Sequence, residues 1–314
     1  KAAAQPAMMR IAIAGGGGFA CILAQYLSQS VNSQHPEFVQ LDCQVATVDY
    51  EDIEGLRYTL QGVDLLISTI SGNEQLNLID AARRARVRLF VPSEFEGDLS
   101  HRPTPEDPLN RDSPAALEFL ERWSQSRSHP MRFTVFSCGI FMERFAPGGM
   151  QTLGIGGSSG VQSPYDYLVN IQTGEAEIVE TNASGRPAHV ALTSVYDVAA
   201  FIAAAVEMGP AHWPREFRMR GDYLSVSEVI MACEQIRGVP FNVTRHTYQS
   251  AEAMANDAQY NNNLISWSYY QRLLQTANGR YNVRQANLND AVNQNEATRV
   301  RPVRFANWLA TNWG

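Results

Sequence analysis

A run of four glycines, Gly15 to Gly18, lies between two apolar segments and constrains the fold more than any other feature. The segment before it, Arg10-Ile-Ala-Ile-Ala14, is typical of a strand that is buried on both faces. The segment after it, Phe19 to Ser28, carries apolar residues at helical spacing. A strand that enters a glycine turn and leaves it as a helix is the opening of a β-α-β unit.

The alternation of strand-like and helix-like segments continues to about residue 140. Predicted strands cover 38–41, 45–47, 65–69, 89–91 and 133–136, and predicted helices cover 53–60, 74–85 and 115–126. Strands that alternate with helices of this length indicate a parallel sheet covered on both faces. The sequence therefore predicts an α/β fold with a Rossmann-type, doubly wound parallel sheet.

The character of the sequence changes after Ser137, where glycine clusters mark turns. Helices are predicted at 195–207, 226–237 and 305–313, a strand at 217–219, and a loop at 257–263. We therefore expect three parts: a vector-derived leader at 1–8, because Ala-Gln-Pro-Ala-Met resembles the end of a bacterial secretion leader; a dinucleotide-binding domain at 9–140; and a smaller, substrate-binding C-terminal part at 141–314.

Composition narrows the function. The chain of 314 residues has a formal net charge of −7, which gives no general attraction to nucleic acid. No apolar run approaches the roughly 18 residues that span a bilayer, so no membrane partner is expected. The four cysteines are scattered without metal-ligand spacing, which favours reduced thiols, a cytoplasmic location and no bound metal. Lys1 is the only lysine among 25 basic residues.

The glycine turn suits a dinucleotide. Gly15 can supply a positive φ, and Gly18 lets the backbone approach a pyrophosphate at the helix N-terminus. The third glycine of such a turn falls at Cys21, which is a departure from the pattern. Asp42 lies near the end of the second predicted strand, where a carboxylate can accept a hydrogen bond from a ribose hydroxyl and favours NAD.

Four segments together carry a family resemblance: the glycine turn, Val63-Asp-Leu-Leu-Ile-Ser-Thr69, Phe90-Val-Pro-Ser-Glu-Phe95 and Val195-Tyr-Asp-Val-Ala-Ala-Phe201. With them the chain resembles the NmrA-like family from about residue 10 to Leu309. That family includes the plant isoflavone reductases and phenylcoumaran benzylic ether reductases, which are atypical short-chain dehydrogenases. Fungal members are common in secondary metabolism.

The resemblance implies an NADP or NAD site. Gly15, Gly18, Phe19 and Ala20 match the phosphate turn of the family, and Ser68, Thr69 and Ile70 match the end of a buried strand beside the cofactor. Asp49 matches the adenine contact, and Pro92 and Ser93 match the loop beside the nicotinamide.

The plant reductases place a catalytic lysine on the helix that follows this loop, and the matching segment here, Ala115 to Trp123, has none. Another acid is therefore expected to supply the proton. The favoured candidate is Glu94, followed by His101 and Tyr165, with Glu143 and Tyr167 less favoured.

Substrate residues are expected where the last core strand ends and where aromatic side chains gather. The predicted set is Phe95, Phe141, Met142, Tyr165, Tyr167 and Tyr269, with Trp267 and Tyr270 as further aromatic candidates. Such a pocket favours a flat apolar ligand over a sugar or a phosphate.

The leading hypothesis is an NAD(P)H-dependent reductase of a hydrophobic, aromatic natural product. The missing lysine keeps open a cofactor-independent isomerase, cyclase or epoxide-opening enzyme with a vestigial nucleotide site. A dinucleotide-sensing regulator of NmrA type is the third reading. Fold alone does not separate the three. The sequence leaves the oligomeric state open.

Overall fold

The computed structural model describes residues 9–32, 44–156 and 167–314. The helices in these ranges are α1 (Gly18–Asn32), α2 (Ile53–Thr59), α3 (Asn73–Arg84), α4 (Ser113–Ser124), α5 (Val195–Glu207), α6 (Val226–Arg237), α7 (Tyr248–Tyr260), α8 (Leu264–Ala277), α9 (Asn287–Val292) and α10 (Phe305–Trp313). Every one of them is too short or too polar to cross a membrane.

The strands in the same ranges are β1 (Ile11–Ala14), β2 (Leu65–Ser68), β3 (Leu89–Val91), β4 (Arg132–Phe133), β5 (Val135–Ser137), β6 (Ile140–Phe141), β7 (Val169–Asn170), β8 (Glu175–Val179), β9 (His189–Thr193), β10 (Glu216–Arg218), β11 (Asp222–Ser225) and β12 (Asn242–His246).

The main sheet is parallel and follows the order β1-β2-β3-β4. Ile11 lies opposite Leu65, and Leu66 opposite Phe90. After a break at Thr134 the chain continues as β5, which pairs in parallel with β10. The predicted parallel sheet is confirmed.

Successive side chains of β2 enter different cores, as alternation along a strand requires. Leu65 and Ile67 pack in one cluster with Leu23 of α1 and Val198 of α5. Leu66 packs on the opposite face in a cluster that includes residues of α3 and α4. Helices therefore cover both faces, which confirms the doubly wound arrangement, and α5 reaches one of those faces from beyond residue 140.

The remaining strands form two small sheets beside a third core. β9 pairs in parallel with β6 and antiparallel with β11, while β8 pairs in parallel with β12 and antiparallel with β7. The core between them and the C-terminal helices contains Ile178, Leu192, Val229, Leu273 and Phe305.

Three helices have the predicted bounds: α5, α6 and α10. Two of these begin at a side-chain cap. Ser194 Oγ accepts a hydrogen bond from the Tyr196 amide over 3.3 Å. Ser225 and Glu228 form a reciprocal capping box at the start of α6. These caps fix the first turn of each helix.

Two local predictions are wrong. Residues 45–47 form no strand, and Val45 is 82% exposed, so its side chain does not pack against a sheet. Residues 257–260 belong to α7, which buries a stripe of small residues, Ala251, Ala255 and Ala258. The break falls later, at Asn262, whose φ is +54°. The predicted strand at 38–41 lies outside the described residues.

Candidate active site

A cavity of about 450 Å³ opens at the carboxyl ends of β1, β2 and β3. Open α/β sheets bind ligands at this edge, and the volume is within the range of small-molecule sites. Described residues of both halves of the chain line it: Gly15, Gly16, Gly17, Phe19, Ala20, Thr69, Ile70, Ser71, Ser93, Phe95, Glu96, Pro108, Leu109, Arg111, Gly139, Ile140, Phe141, Arg144, Met150, Gly154, Ile155, Gly156, Tyr167, Arg272, Arg280 and Tyr281.

Gly15 forms the bend at the cavity floor. Its φ is +117°, a conformation that residues with a side chain rarely adopt, and a Cβ there would overlap Thr69 Oγ1. Thr69 is in turn held to β1, because its amide and its hydroxyl both donate to the carbonyl oxygen of Ala14, each over 2.9 Å. The turn and the end of β2 therefore form one fixed corner, as the sequence predicts.

Gly18 stands in a different environment from the one expected. A Cβ at this position would overlap the backbone carbonyl of Leu153, and the Gly18 amide donates to the carbonyl oxygen of Gly154 over 3.1 Å. Gly18 does not line the cavity. Its requirement for glycine thus arises from the close approach of the 3₁₀ segment Gly149–Leu153, independently of any ligand.

The first turn of α1 faces the cavity through Phe19 and Ala20. Among the described residues, the amides of Phe19 and Ala20 have no hydrogen-bond acceptor, whereas the Cys21 amide donates to Gly17. Free amides at the N-terminus of a 15-residue helix favour an anion. A Cβ on Gly16 would meet no atom within 4 Å, so space is open above the turn. These features fit the pyrophosphate of a dinucleotide.

Three phenylalanines form the wall next to the turn. The ring centroid of Phe19 lies 4.9 Å from that of Phe95 in an edge-to-face contact and 5.6 Å from that of Phe141. All three rings line the cavity. Phe95 and Phe141 are predicted substrate residues, and the structure brings them together from the loop after β3 and from β6.

Glu94 has no geometric support as the proton donor. It is 4% exposed and does not line the cavity. Its Oε2 accepts from Ser113 Oγ at 2.6 Å and from Arg102 Nη1 at 3.1 Å. Burial raises the pKa of Glu94, and the charge of Arg102, which acts to lower that pKa, only partly offsets the effect. The carboxyl group is held behind the cavity wall, so it cannot reach a substrate.

The carboxylate that does line the cavity is Glu96, which the sequence analysis missed. Its two oxygens contact Arg102 and Arg280, the latter at 2.6 Å. Burial acts to raise the pKa of Glu96, but Arg102, Arg280 and Arg111 outweigh it and hold the pKa at about 2. Glu96 is therefore ionised at neutral pH and cannot donate a proton.

Five other predicted residues lie away from the cavity. Ser68 is buried and donates its hydroxyl hydrogen to the carbonyl of Ile70, which shapes the β2 end. Pro92 and Met142 are both buried. Asp49 Oδ1 accepts from the Glu51 amide in an exposed turn. The His101 side chain is 48% exposed, beside Ser100 and Asp98.

The predicted aromatic pocket is only partly formed. Tyr167 lines the cavity, and its hydroxyl lies 2.7 Å from Thr276 Oγ1. Tyr269 instead donates to Glu177 Oε2 over 2.6 Å in a separate cleft, where His246 contacts the other oxygen. Trp267 and Tyr270 pack against the C-terminal core. Asp42 and Tyr165 lie outside the described residues.

Most of the cavity lining that comes from residues after 100 is not aromatic, contrary to the sequence prediction, but includes four arginines. They are Arg111, Arg144, Arg272 and Arg280, accompanied by Tyr281. Sequence reasoning missed them because they come from three separate parts of the chain, with Arg272 and Arg280 in and just after α8. The available signal was the composition: a chain whose basic residues are arginines except at Lys1. In the described parts of the chain, no cluster of His, Cys, Asp and Glu could hold a metal ion.

The parallel sheet, the glycine turn and the cavity at the strand ends define a Rossmann-type α/β protein with a nucleotide-sized site. The sequence profile of the NmrA-like family matches residues 26–298. The chain therefore belongs to the NmrA-like family, and the resemblance identified from sequence is confirmed.

Two curated fungal relatives and one solved structure are similar to this chain. The relatives are both named oxidoreductase swnN: that of Arthroderma benhamiae is 26% identical over 58% of this chain, and that of Metarhizium robertsii is 25% identical over 66%. The chain spans 55% and 64% of their respective lengths. The structure of AtPrR2 with NADP+ and (+)-pinoresinol superposes with a TM-score of 0.67 at 16% identity, covering 98% of this chain and 99% of that chain.

Proposed function

We propose that this chain is an NAD(P)H-dependent reductase of a small, largely hydrophobic substrate with an aromatic ring. One observation carries the proposal: Phe19 and Ala20, whose amides have no acceptor among the described residues, line a cavity together with the glycine turn, Phe95 and Phe141. The curated relatives named as oxidoreductases and the NADP+ complex of AtPrR2 support it.

A bound nicotinamide cofactor supplies a hydride in such a reaction. The chain's own contributions follow from the geometry. The amides of Phe19 and Ala20 would hold the pyrophosphate, and the corner of Gly15 and Thr69 would set its depth. Phe95 and Phe141 exclude water from the adjoining space and offer an apolar surface to a flat ring.

The proton donor that we propose in place of Glu94 is Tyr281. Its side chain lines the cavity, and among the described residues its hydroxyl makes no hydrogen bond. The backbone is fixed, since the carbonyl of Tyr281 accepts from the Ala191 amide of β9 over 2.8 Å. Arg280 lies 5.6 Å from the ring centroid, and the charge of Arg144 also interacts with this phenol. Two guanidinium groups would stabilise the phenolate left after proton transfer.

The test is NADPH oxidation by the purified chain, freed of nucleotide, with aromatic aldehydes, quinones and α,β-unsaturated aromatic ketones as substrates. Loss of NADPH absorbance in step with product formation supports the reductase. Product that forms without nucleotide would contradict it and favour the isomerase or cyclase reading. Tight NADPH binding without turnover of any substrate would favour the regulator.

A further inference from the structure

The cavity is electropositive within an acidic protein. Its described lining carries four guanidinium groups, those of Arg111, Arg144, Arg272 and Arg280, against the single carboxylate of Glu96. The chain as a whole has a formal net charge of −7. Cations concentrated in a concave, partly apolar site focus a positive potential on whatever binds there. An uncharged aromatic substrate would leave unpaired any of this positive charge that the cofactor phosphates do not meet.

The one carboxylate does not balance the excess. Glu96 is shared between Arg280, at 2.6 Å, and Arg102, whose side chain is 6% exposed and lies behind the wall. Arg102 also contacts Glu94 at 3.1 Å. In these ion pairs two arginines meet two glutamates. Arg111 and Arg144 take no part in them.

Arg144 is the most constrained of the remaining cations. Among the described residues, no carboxylate forms an ion pair with it. Its guanidinium carbon lies 5.6 Å from the ring centroid of Tyr167 in a cation-π interaction. Burial lowers the pKa of Arg144, and the charges of Arg272 and Arg111 act in the same direction. A part-buried guanidinium without a carboxylate partner is costly unless a ligand supplies the anion.

We infer that this end of the cavity binds a carboxylate of the substrate, with Arg144 as its principal contact and Arg111 at the mouth. The inference rests on the proposed function, because it takes the cavity as the place where substrate binds. It narrows the substrate class to small aromatic acids, with the ring against Phe95 and Phe141 and the acid at Arg144. Planar guanidinium groups bind carboxylates through paired hydrogen bonds.

The experiment uses matched probes: benzoate, trans-cinnamate and 2-naphthoate, each beside its uncharged amide. Affinities are measured by calorimetry on the whole chain, with and without saturating NADP+. We expect at least one acid to bind about tenfold or more tightly than its amide. Arg144→Gln should remove that preference, and Arg111→Gln should weaken it. Arg186→Gln is the control, because it removes the same charge from an exposed position outside the cavity.

The variants are first checked for cooperative thermal unfolding, and exposed Arg111 provides a variant that does not disturb the core. No acid binding better than its amide, or a preference that survives Arg144→Gln and Arg111→Gln, would overturn the inference. Equal weakening of NADPH binding by Arg144→Gln would also overturn it, by assigning Arg144 to a cofactor phosphate. Arginine-dependent binding of an acid by a chain that binds no NADPH would uphold the carboxylate site while the proposed function fails.

Discussion

The amide of Gly18 donates a hydrogen bond to the carbonyl oxygen of Gly154 over 3.1 Å, which ties the first turn of α1 to a segment from the other half of the chain. A side chain at residue 18 would overlap the Leu153 carbonyl. We expect Gly18→Ala to lower the free energy of unfolding by about 1–3 kcal/mol. Urea unfolding followed by circular dichroism measures this. Gly16→Ala is the control, since its Cβ meets no atom within 4 Å. Equal stability of the two variants would contradict the close contact between Gly18 and the segment at Leu153 and Gly154.

Arg102 joins two buried carboxylates, those of Glu94 and Glu96. Arg102→Met should destabilise the fold by about 3–5 kcal/mol, because it leaves two like charges close together in a buried site. Adding Glu94→Gln to that variant should recover part of the loss, since one of the two charges is removed. The same unfolding measurement tests both. A cost below about 1 kcal/mol for Arg102→Met, as expected for an exposed arginine such as Arg122, would show that the network is not structural.

Asp197 makes stability depend on pH. Burial and the charge of Glu143 raise its pKa to about 6, against the hydrogen bond from the Val303 amide. An acid with a higher pKa in the folded than in the unfolded chain stabilises the fold below the unfolded pKa and loses that contribution as pH rises through the folded pKa. The free energy of unfolding contributed by Asp197 therefore falls from about pH 4 to pH 6.

Asp197→Asn removes this titration and leaves an oxygen that can accept from Val303. We expect the variant and the parent to be equally stable near pH 4. Near pH 7 the variant should be more stable by about 1–2 kcal/mol, after allowance for partial solvent screening of Asp197. Unfolding by urea at both pH values gives the difference. A variant that is less stable than the parent at pH 7 would reverse the sign and refute this account of Asp197.

Tyr281→Phe removes the hydroxyl that we propose as the proton donor and keeps the ring. Turnover with a reducible substrate should fall by about 100-fold, while the affinity for NADPH stays unchanged. Tyr260→Phe is the matched control, because Tyr260 is 87% exposed on α7. Full activity of Tyr281→Phe, measured by NADPH absorbance, would assign the proton to another group or to water.

The sequence predicts the fold well where local and global signals agree. α5 and α6 have the predicted bounds because the apolar residues of each helix begin directly after a serine, Ser194 or Ser225, that caps its first turn. The end of α7 was missed because its buried stripe is made of alanines between polar residues. The three asparagines that follow the helix, at 261–263, made its last turn resemble a loop.

The site was predictable only near the strand ends. Gly15, Thr69 and Phe95 follow the parallel strands β1, β2 and β3, so the topology of that sheet brings them to one edge. Phe141 ends β6, which belongs to a separate sheet. The arginines come from unrelated segments, and nothing in their spacing reveals a shared cavity. Glu94 and Glu96 lie two residues apart on one loop, yet only Glu96 faces the cavity. The two carboxylates share Arg102 and differ in their other partner, Ser113 for Glu94 and Arg280 for Glu96, and these partners come from elsewhere in the chain.

The central claim is that the glycine turn holds the phosphates of a dinucleotide, and Gly16 tests it most directly. Gly16 lines the cavity, and a Cβ there meets no other atom within 4 Å. Gly16→Asp and Gly16→Asn have the same shape and differ only in charge. In fluorescence titrations with NADPH, we expect Gly16→Asn to bind and Gly16→Asp to bind about tenfold or more weakly, because its carboxylate repels the pyrophosphate. Equal affinity of the two variants, both folded, would contradict the assignment of this turn to phosphate binding.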